Sequence, residues 1–129
     1  MSSYDGEVME LEKLEYDLSV CKIETIEHVD FSQEFVHLSK TADEISLVCE
    51  TDYVPPGAIE LEPGWKALKV SGVLDFGMIS VISKISNILA ESGISIFVIS
   101  TYNTDYVLMK AEVFDRGVRA LGQHGYVVK

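Results

Sequence analysis

Two stretches in the second half of the chain repeat their apolar residues at helical spacing. Between residues 77 and 92 polar side chains separate apolar ones that recur three and four positions apart: Met78, Ile82, Ile85 and Leu89. This spacing is typical of an amphipathic helix that buries one face. Residues 112–123 show a shorter version of the same pattern. The pattern therefore predicts two helices in this half.

Runs of β-branched and aromatic residues flank these two predicted helices. They predict strands that begin at Trp65 and close at the end of the chain: 65–71, 94–101, 105–111 and 125–129. Asn103 and Thr104 lie between the middle two runs, where a hairpin turn is expected. The order from Trp65 is βαββαβ, which is the ferredoxin-like arrangement of the α+β class.

The first half is rich in strands and poor in helix. Residues 14–23, 35–40 and 45–50 are short β-rich runs, and a turn is expected between the last two. Residues 54–64 contain three prolines and two glycines, which favour a linker over regular structure. We therefore predict three segments: a flexible N-terminus over 1–13, a strand-rich half over 14–63, and a ferredoxin-like domain over 64–129.

The two halves also share an internal repeat. Shifted by 62 positions, residues 35–48 lie over residues 97–110 without a gap, so that Phe35 meets Phe97 and Asp43 meets Asp105. Self-similarity of this kind indicates duplicated structural units. The first half is therefore predicted to be a shortened copy of the second that lacks most of one helix.

Composition and charge narrow the class of protein. The 129 residues are 47% apolar with a net charge of −11, which suits a folded domain and argues against a nucleic-acid partner. No apolar run is long enough to cross a membrane, and no signal peptide precedes the chain, so a cytoplasmic protein is expected. Residues 1–64 carry 16 acidic and three basic side chains, whereas residues 65–129 carry five and seven. The acidic half is either a solvated face or a docking surface.

The sequence offers little support for catalysis or for a metal. The two cysteines, Cys21 and Cys49, lie in strand-like surroundings without a CxxC pattern, so they are expected to be buried thiols. Three histidines are scattered along the chain: His28, His37 and His124. No nucleotide-binding or metalloprotease motif is present, and we predict a non-enzyme without cofactor or metal.

Several separated segments resemble a known family. The runs 41–49 (TADEISLVC), 64–65 (GW), 94–97 (ISIF) and 100–106 (STYNTDY) resemble those of the paired ACT proteins. These are the aspartokinase-like ACT proteins, which are similar to the cytosolic arginine sensors of the TOR pathway. The resemblance covers roughly residues 14–129. It implies a ferredoxin-like ACT domain after a shortened ACT-like half, side-to-side pairing into a homodimer, and binding of an amino acid or related metabolite.

The same resemblance implies where a ligand would bind. In ACT regulators the loop after the first strand and the start of the first helix hold the ligand's backbone, and a later segment lines the pocket. On this chain the matching residues are Asp75, Phe76, Gly77, Met78, Ile79, Thr101, Tyr102 and Asp105. The arginine sensors contain two pairs of units and this chain contains one, so a pocket would form between molecules.

Physical chemistry allows each central residue two roles. Gly77 precedes a predicted helix whose free N–H groups and dipole favour a carboxylate, but it also fits an ordinary helix start. Asp105 is suited to pair with a cationic ligand group, but it also fits a turn aspartate that binds its own backbone. The sequence therefore predicts a regulatory module that binds an amino acid. The alternative is an interaction or dimerisation module without a ligand, whose acidic half docks on a basic protein partner.

Overall fold

A computed structural model describes residues 10–71 and 78–129 of the chain. It contains eight strands and two α-helices in the described residues. In chain order they are β1 (Glu10–Lys13), β2 (Leu18–Ile23), β3 (Val36–Lys40), β4 (Ile45–Glu50), β5 (Glu60–Ser71), α1 (Met78–Glu91), β6 (Phe97–Ser100), β7 (Asp105–Lys110), α2 (Ala111–Gln123) and β8 (Val127–Val128). A short 3-10 helix spans Thr51–Tyr53. The fold is of the α+β class, as the sequence predicts.

The chain divides into two compact units. The helical unit consists of the chain up to Leu14 together with Ala67–Lys129, and the inserted unit consists of Glu15–Lys66. The sequence pattern predicts segments that follow one another, but the helical unit is discontinuous in sequence. The reason is that β1 pairs with the last part of β5, with Leu11 opposite Val70.

The helical unit has the predicted βαββαβ order from β5 to β8. Its strands lie in the order β6, β7, β5, β1 and β8. Strands β6 and β7 form an antiparallel hairpin, and β8 runs parallel to β1. Both helices pack on one cluster, which also takes side chains from β1, β5 and β7: Leu11, Leu68, Val70, Ile85, Leu89, Ile94, Val107, Met109, Phe114 and Leu121. The prediction of two helices on one face of the sheet is therefore confirmed.

Gly117 allows α2 to lie close to β7. A Cβ at this position would be 2.5 Å from Sδ of Met109 and 3.3 Å from Cδ2 of Leu89. The first distance is shorter than carbon and sulfur atoms tolerate and the second is tight, so a larger residue would require Met109 or the helix to move.

The inserted unit keeps the strand order of a ferredoxin-like sheet without its helices. Its strands lie in the order β3, β4, β2 and the first part of β5, and each neighbouring pair is antiparallel. Residues 24–35 connect β2 to β3, and residues 51–59 connect β4 to β5. These are the two places where a ferredoxin-like fold has helices. The predicted shortened, strand-rich half therefore lacks both helices, and not only most of one.

The predicted linker over 54–64 is wrong for its last five residues. Strand β5 begins at Glu60 and includes Pro63 and Gly64. The β2 pairing places both of these residues opposite Ser19, because Leu18 faces Trp65 and Val20 faces Glu62. Two residues opposite one form a β-bulge, where proline's missing N–H is tolerated and Gly64 adopts a φ of 86°. The breaker pair thus marks a bulge inside a strand.

The predicted flexible N-terminus is wrong for residues 10–13. Leu11 is buried in the helical unit's core, and its carbonyl accepts the N–H of Lys129 at 2.8 Å. The N–H of Lys13 donates to the Lys129 carbonyl at the same distance. A four-residue strand with one apolar residue carries too weak an alternation to be recognised from sequence.

Candidate functional site

The turn between β6 and β7 is a closed four-residue loop over 101–104. The backbone N–H of Thr101 donates to the Thr104 carbonyl at 2.8 Å, and the Thr101 hydroxyl donates to the same carbonyl at 3.0 Å. The Thr104 N–H donates to Oγ1 of Thr101 at 3.3 Å. Three hydrogen bonds between two residues hold this turn in one conformation.

Thr104 fixes this turn to the strand that leads to the first helix. Its side chain is buried, and its hydroxyl donates to the Val70 carbonyl at 2.6 Å. Val70 is the last residue but one of β5, and the chain then continues to α1, which begins at Met78. The turn and the end of β5 therefore meet at one end of the helical unit. The sequence pattern predicts Thr104 only as a turn residue. The spacing of Thr101 and Thr104, two threonines three positions apart, is the signal that could have indicated a hydrogen-bonded turn.

Only part of the predicted carboxylate-binding segment lies in the described structure. Met78 and Ile79 are the first two residues of α1, which has 14 residues and no acidic residue in its first turn. The N–H groups at such a helix start have no partner within the helix, and the helix dipole is positive there. Asp75, Phe76 and Gly77 lie outside the described residues.

Thr101 and Tyr102 are both exposed at the tip of the turn. Tyr102 is fully exposed, at 101%. Asp105 is the first residue of β7, and in the hairpin it is paired with Ser100. The structure therefore brings these three predicted residues together, next to the end of β5.

The hairpins correct the predicted repeat. In β3 and β4 the turn is closed by the Thr41 N–H and the Glu44 carbonyl at 2.9 Å, so Thr41 matches Thr101 and Glu44 matches Thr104. The offset between the hairpins is therefore 60 residues, and the sequence match at 62 is slipped by two. The burial patterns of β4 and β7 are then identical position by position.

This correction changes the interpretation of Asp105. At the true offset Asp43 matches Asn103 inside the turn, and Asp105 matches Ile45 at the start of a strand. Asp43 and Asp105, which the 62-residue offset aligns, therefore do not occupy equivalent places in the two hairpins. In its own turn, Asp43 donates its backbone N–H to Oγ1 of Thr41 at 3.2 Å.

The two thiols lie in the core of the inserted unit. Both Cys21 and Cys49 are buried and free, as predicted. Removal from water and, to a smaller extent, the neighbouring Cys21 sulfur together raise the pKa of Cys49 to about 12. The pKa of Cys21 is also raised by burial, against an opposing hydrogen bond with Cys49. The thiolate is the nucleophilic form of cysteine, and the raised pKa values keep both thiols protonated near neutral pH, as expected of cysteines that fill a core.

The described residues hold neither a metal-binding cluster nor a membrane-spanning helix. No group of three or more histidine, cysteine or acidic side chains there is arranged to hold a metal ion. None of the helices in this part of the chain combines the length and the apolar character that a membrane span requires.

Comparison with known families and structures gives one consistent result. The model of the ACT domain matches residues 60–123. A structural-genomics target protein from Agobacterium tumefaciens has 26% sequence identity and a TM-score of 0.85, with 96% of this chain and 94% of that chain covered. No curated protein matches the sequence at a significant level.

Two more distant structures show the same fold. A Vibrio cholerae protein of unknown function, described as a possible transport protein, has 22% identity and a TM-score of 0.64 over 89% of this chain and 88% of that one. The regulatory subunit of aspartate kinase from Thermus thermophilus has 14% identity and a TM-score of 0.58, with 84% of this chain and 92% of that chain covered. These likenesses span both units and nearly the whole of each compared chain.

Proposed function

Because residues 60–123 of this chain belong to the ACT-domain family, we propose that the protein is a regulatory module that binds an amino acid or a related small metabolite. The fold likeness to the regulatory subunit of an aspartate kinase supports a regulatory role, since that subunit is not the catalytic one. The chain itself then performs no catalysis and needs no cofactor or metal. We place it in the cytoplasm, without a nucleic-acid or membrane partner.

The observation that carries this proposal is the hydrogen bond between Thr104 and Val70. It fixes the β6–β7 turn beside the end of β5, where the chain leaves for the first helix. A site at this end would combine backbone N–H groups that favour an anion with polar side chains that suit the other end of a ligand. An α-amino acid has this arrangement of groups.

The ligand would be held at two points. Its carboxylate would bind the N–H groups of Gly77, Met78 and Ile79, because a helix start attracts negative charge and glycine permits close approach. Its far end would reach Thr101, Tyr102 or Asp105, with Asp105 opposite any cationic group. Asp75 and Phe76, which precede Gly77 in the sequence, would bind the backbone part of the ligand together with these residues. A second copy of the chain would complete the pocket, since amino acids are expected to bind between ACT units.

A thermal-shift screen of the twenty amino acids tests the proposal. A ligand that binds the native state raises the melting temperature, by an amount that grows with its concentration. Calorimetric titration of the best ligand should then show that Gly77→Leu abolishes binding while the far-ultraviolet circular dichroism spectrum is unchanged. Asp105→Ala should weaken a basic ligand by about 1–3 kcal/mol and a neutral one much less.

Asp43→Ala is the matched control for Asp105→Ala. Asp43 lies in the corresponding hairpin of the inserted unit and is exposed, so its removal should leave the affinity unchanged. An amino acid that binds Gly77→Leu and Asp105→Ala as tightly as the wild type would show that the pocket lies elsewhere. A screen in which none of the twenty raises the melting temperature would favour the interaction module without a ligand.

A further inference from the structure

The inserted unit covers its core with two coil segments in place of helices. The core cluster consists of Cys21, Ile23, Val29, Leu47 and Cys49. Val29 comes from the segment 24–35, and Val54 and Ala58 come from the segment 51–59 and pack against the same cluster. Both segments therefore lie on one side of the inserted unit. We call their outer surface the coil face.

The coil face exposes large apolar side chains. Phe31 is 59% exposed, Ile26 and Ile59 are each 48% exposed, and Tyr53 is 44% exposed. Leu61, at 52%, extends this surface on the first part of β5, because it pairs with Cys21 and cross-strand partners point to the same face. Within the described residues of the inserted unit, these five are the exposed large hydrophobic side chains. Their concentration on one side indicates a surface that is covered by another molecule.

Phe31 is presented by a loop that is held in place. Oδ1 of Asp30 accepts hydrogen bonds from the N–H and the hydroxyl of Ser32, at 2.9 and 2.5 Å. The amide of Gln33 donates to the Asp30 carbonyl at 2.8 Å and accepts the Glu50 N–H at 3.0 Å, which ties the loop to β4. An exposed aromatic residue on a preorganised loop loses little conformational freedom on binding, and such residues dominate binding energy at interfaces.

The charged side chains of the two coil segments are all acidic. The two segments contain five acidic residues and no lysine or arginine: Glu24, Glu27, Asp30, Glu34 and Asp52. All five are exposed, and the hydrogen bonds from Ser32 lower the pKa of Asp30, which keeps it ionised. Pairing of this face with the same face of a second copy would bring ten carboxylates together, and like charges at an interface are unfavourable.

We propose that the coil face is a docking surface for a protein partner that presents lysine or arginine side chains around an apolar anchor. Phe31, Ile26, Tyr53 and Ile59 form its apolar centre, and the five carboxylates form its rim. The apolar centre supplies the affinity, and the acidic rim selects a basic partner and speeds association. This surface lies in the inserted unit and is separate from the amino-acid site proposed above.

The test uses the full chain and two synthetic peptides of the same composition. One carries lysine and leucine at a spacing that gives an apolar face on a helix, and the other has the same residues reordered so that no apolar face forms. Fluorescence anisotropy of the labelled peptides should show at least about tenfold tighter binding of the first. Phe31→Ser and Ile59→Ser should each weaken this binding about tenfold, because each removes part of the apolar centre.

Matched variants separate the coil face from a general attraction for cations. Val127→Ser removes an exposed apolar residue of the helical unit and should leave peptide binding unchanged. Glu24→Gln with Glu27→Gln should weaken binding and reduce its dependence on salt, because two rim charges are lost. Since Phe31 is exposed, Phe31→Ser should keep the wild-type melting temperature, so its loss of binding would not reflect unfolding.

Three results would overturn the proposal. The first is equal binding of both peptides, or no binding of either peptide. The second is a loss of peptide binding in Val127→Ser as large as that in Phe31→Ser. The third is a wild-type sedimentation coefficient that falls to the monomer value in Phe31→Ser, which would assign the coil face to a second copy. None of these outcomes affects the titrations of Gly77→Leu and Asp105→Ala, so the two proposals fail independently.

Discussion

At the scale of single residues, Thr104 decides the geometry of the candidate site. Its side chain is buried, and its hydroxyl donates to the Val70 carbonyl, which fixes the turn to the end of β5. Thr101, three residues earlier, closes the turn but remains exposed to water. If the hydroxyl of Thr101 is removed, water can take its place. Water cannot replace the buried hydroxyl of Thr104.

Thr104→Val tests this difference. Valine has nearly the same shape, so the change removes the hydrogen bond to Val70 and leaves that carbonyl buried. We expect a loss of about 1–3 kcal/mol in the free energy of unfolding, measured by urea denaturation followed by circular dichroism. Thr101→Val is the control and should cost less than about 0.5 kcal/mol, because water replaces its hydroxyl. Equal losses in both variants would contradict the anchoring role of Thr104.

The buried thiols make stability dependent on alkaline pH. The folded-state pKa of Cys49 is about 12, above its ordinary value of 9.0, so the unfolded state releases the proton first as pH rises. Stability from this group is therefore complete below pH 9 and is lost between pH 9 and about 12. Cys21 acts in the same direction, because burial raises its pKa as well.

Denaturation curves from pH 8 to 10 measure this effect. By pH 10 the wild type should lose about 1 kcal/mol more of its unfolding free energy than Cys49→Ala does, when each is compared with its own value at pH 8. Because each protein is compared with itself at pH 8, the pH-independent loss of stability caused by the smaller alanine side chain cancels. Parallel curves for the two proteins would show that the Cys49 thiol is more accessible than its burial indicates.

At the scale of elements, β1 shows how a very short strand can complete a unit. Strand β8 has two residues, and in the described structure β1 is the strand that pairs with it. The last part of β5 forms the other side of β1. Strand β1, which precedes the inserted unit in the sequence, thus lies between β8 and β5 and pairs with both. Its Leu11 side chain is part of the core of the helical unit.

Leu11→Ala should therefore weaken the helical unit far more than a four-residue strand would suggest. Loss of a fully buried leucine costs about 2–5 kcal/mol. Hydrogen exchange should show faster exchange at the Lys129 amide, whose acceptor is the Leu11 carbonyl. Glu12→Ala, on the exposed side of the same strand, should change the unfolding free energy by less than about 0.5 kcal/mol. A stability loss in Leu11→Ala no larger than in Glu12→Ala would contradict the role of β1.

At the scale of the whole molecule, sheet edges bear on self-association. Strand β6 pairs only with β7 among the described residues, and its exposed Val98 lies on this open edge. Open strand edges are commonly covered by another chain. The ACT relationship adds the expectation of side-to-side pairing, which also provides the second copy that the proposed ligand pocket needs.

Light scattering should accordingly report a dimer at tens of micromolar protein. Val98→Lys should shift the distribution towards monomer, because a lysine on a strand edge opposes pairing. Ala42→Lys, in the exposed corresponding turn of the inserted unit, is the control of equal charge and should leave the dimer intact. A stable interface should bury at least about 1,000 Å². A monomeric wild type throughout this concentration range would contradict the prediction.

The sequence by itself determined which elements form and in what order. Periodic apolar residues such as Ile85 and Leu89 predict α1, and the β-rich run at 45–50 predicts β4 with the observed bounds, because these signals are local. The resemblance to the ACT family could also be recognised from the sequence, through motifs such as residues 100–106. It predicted the site residues Thr101, Tyr102 and Asp105, which the fold places together.

Tertiary structure decided the register and the long-range pairs. A strand alternates with a period of two, so a slip of two residues keeps every side chain on its face, and the apolar pattern could not separate an offset of 62 from one of 60. The turns at 41–44 and 101–104 fix the offset at 60, because the backbone N–H of the first threonine closes each turn: Thr41 in one and Thr101 in the other. Likewise, Pro63 and Gly64 read locally as a break, and only pairing with β2 makes them a bulge within a strand. The bond from Thr104 to Val70 spans 34 residues, a distance at which side-chain position depends on the packed sheet and not on local pattern.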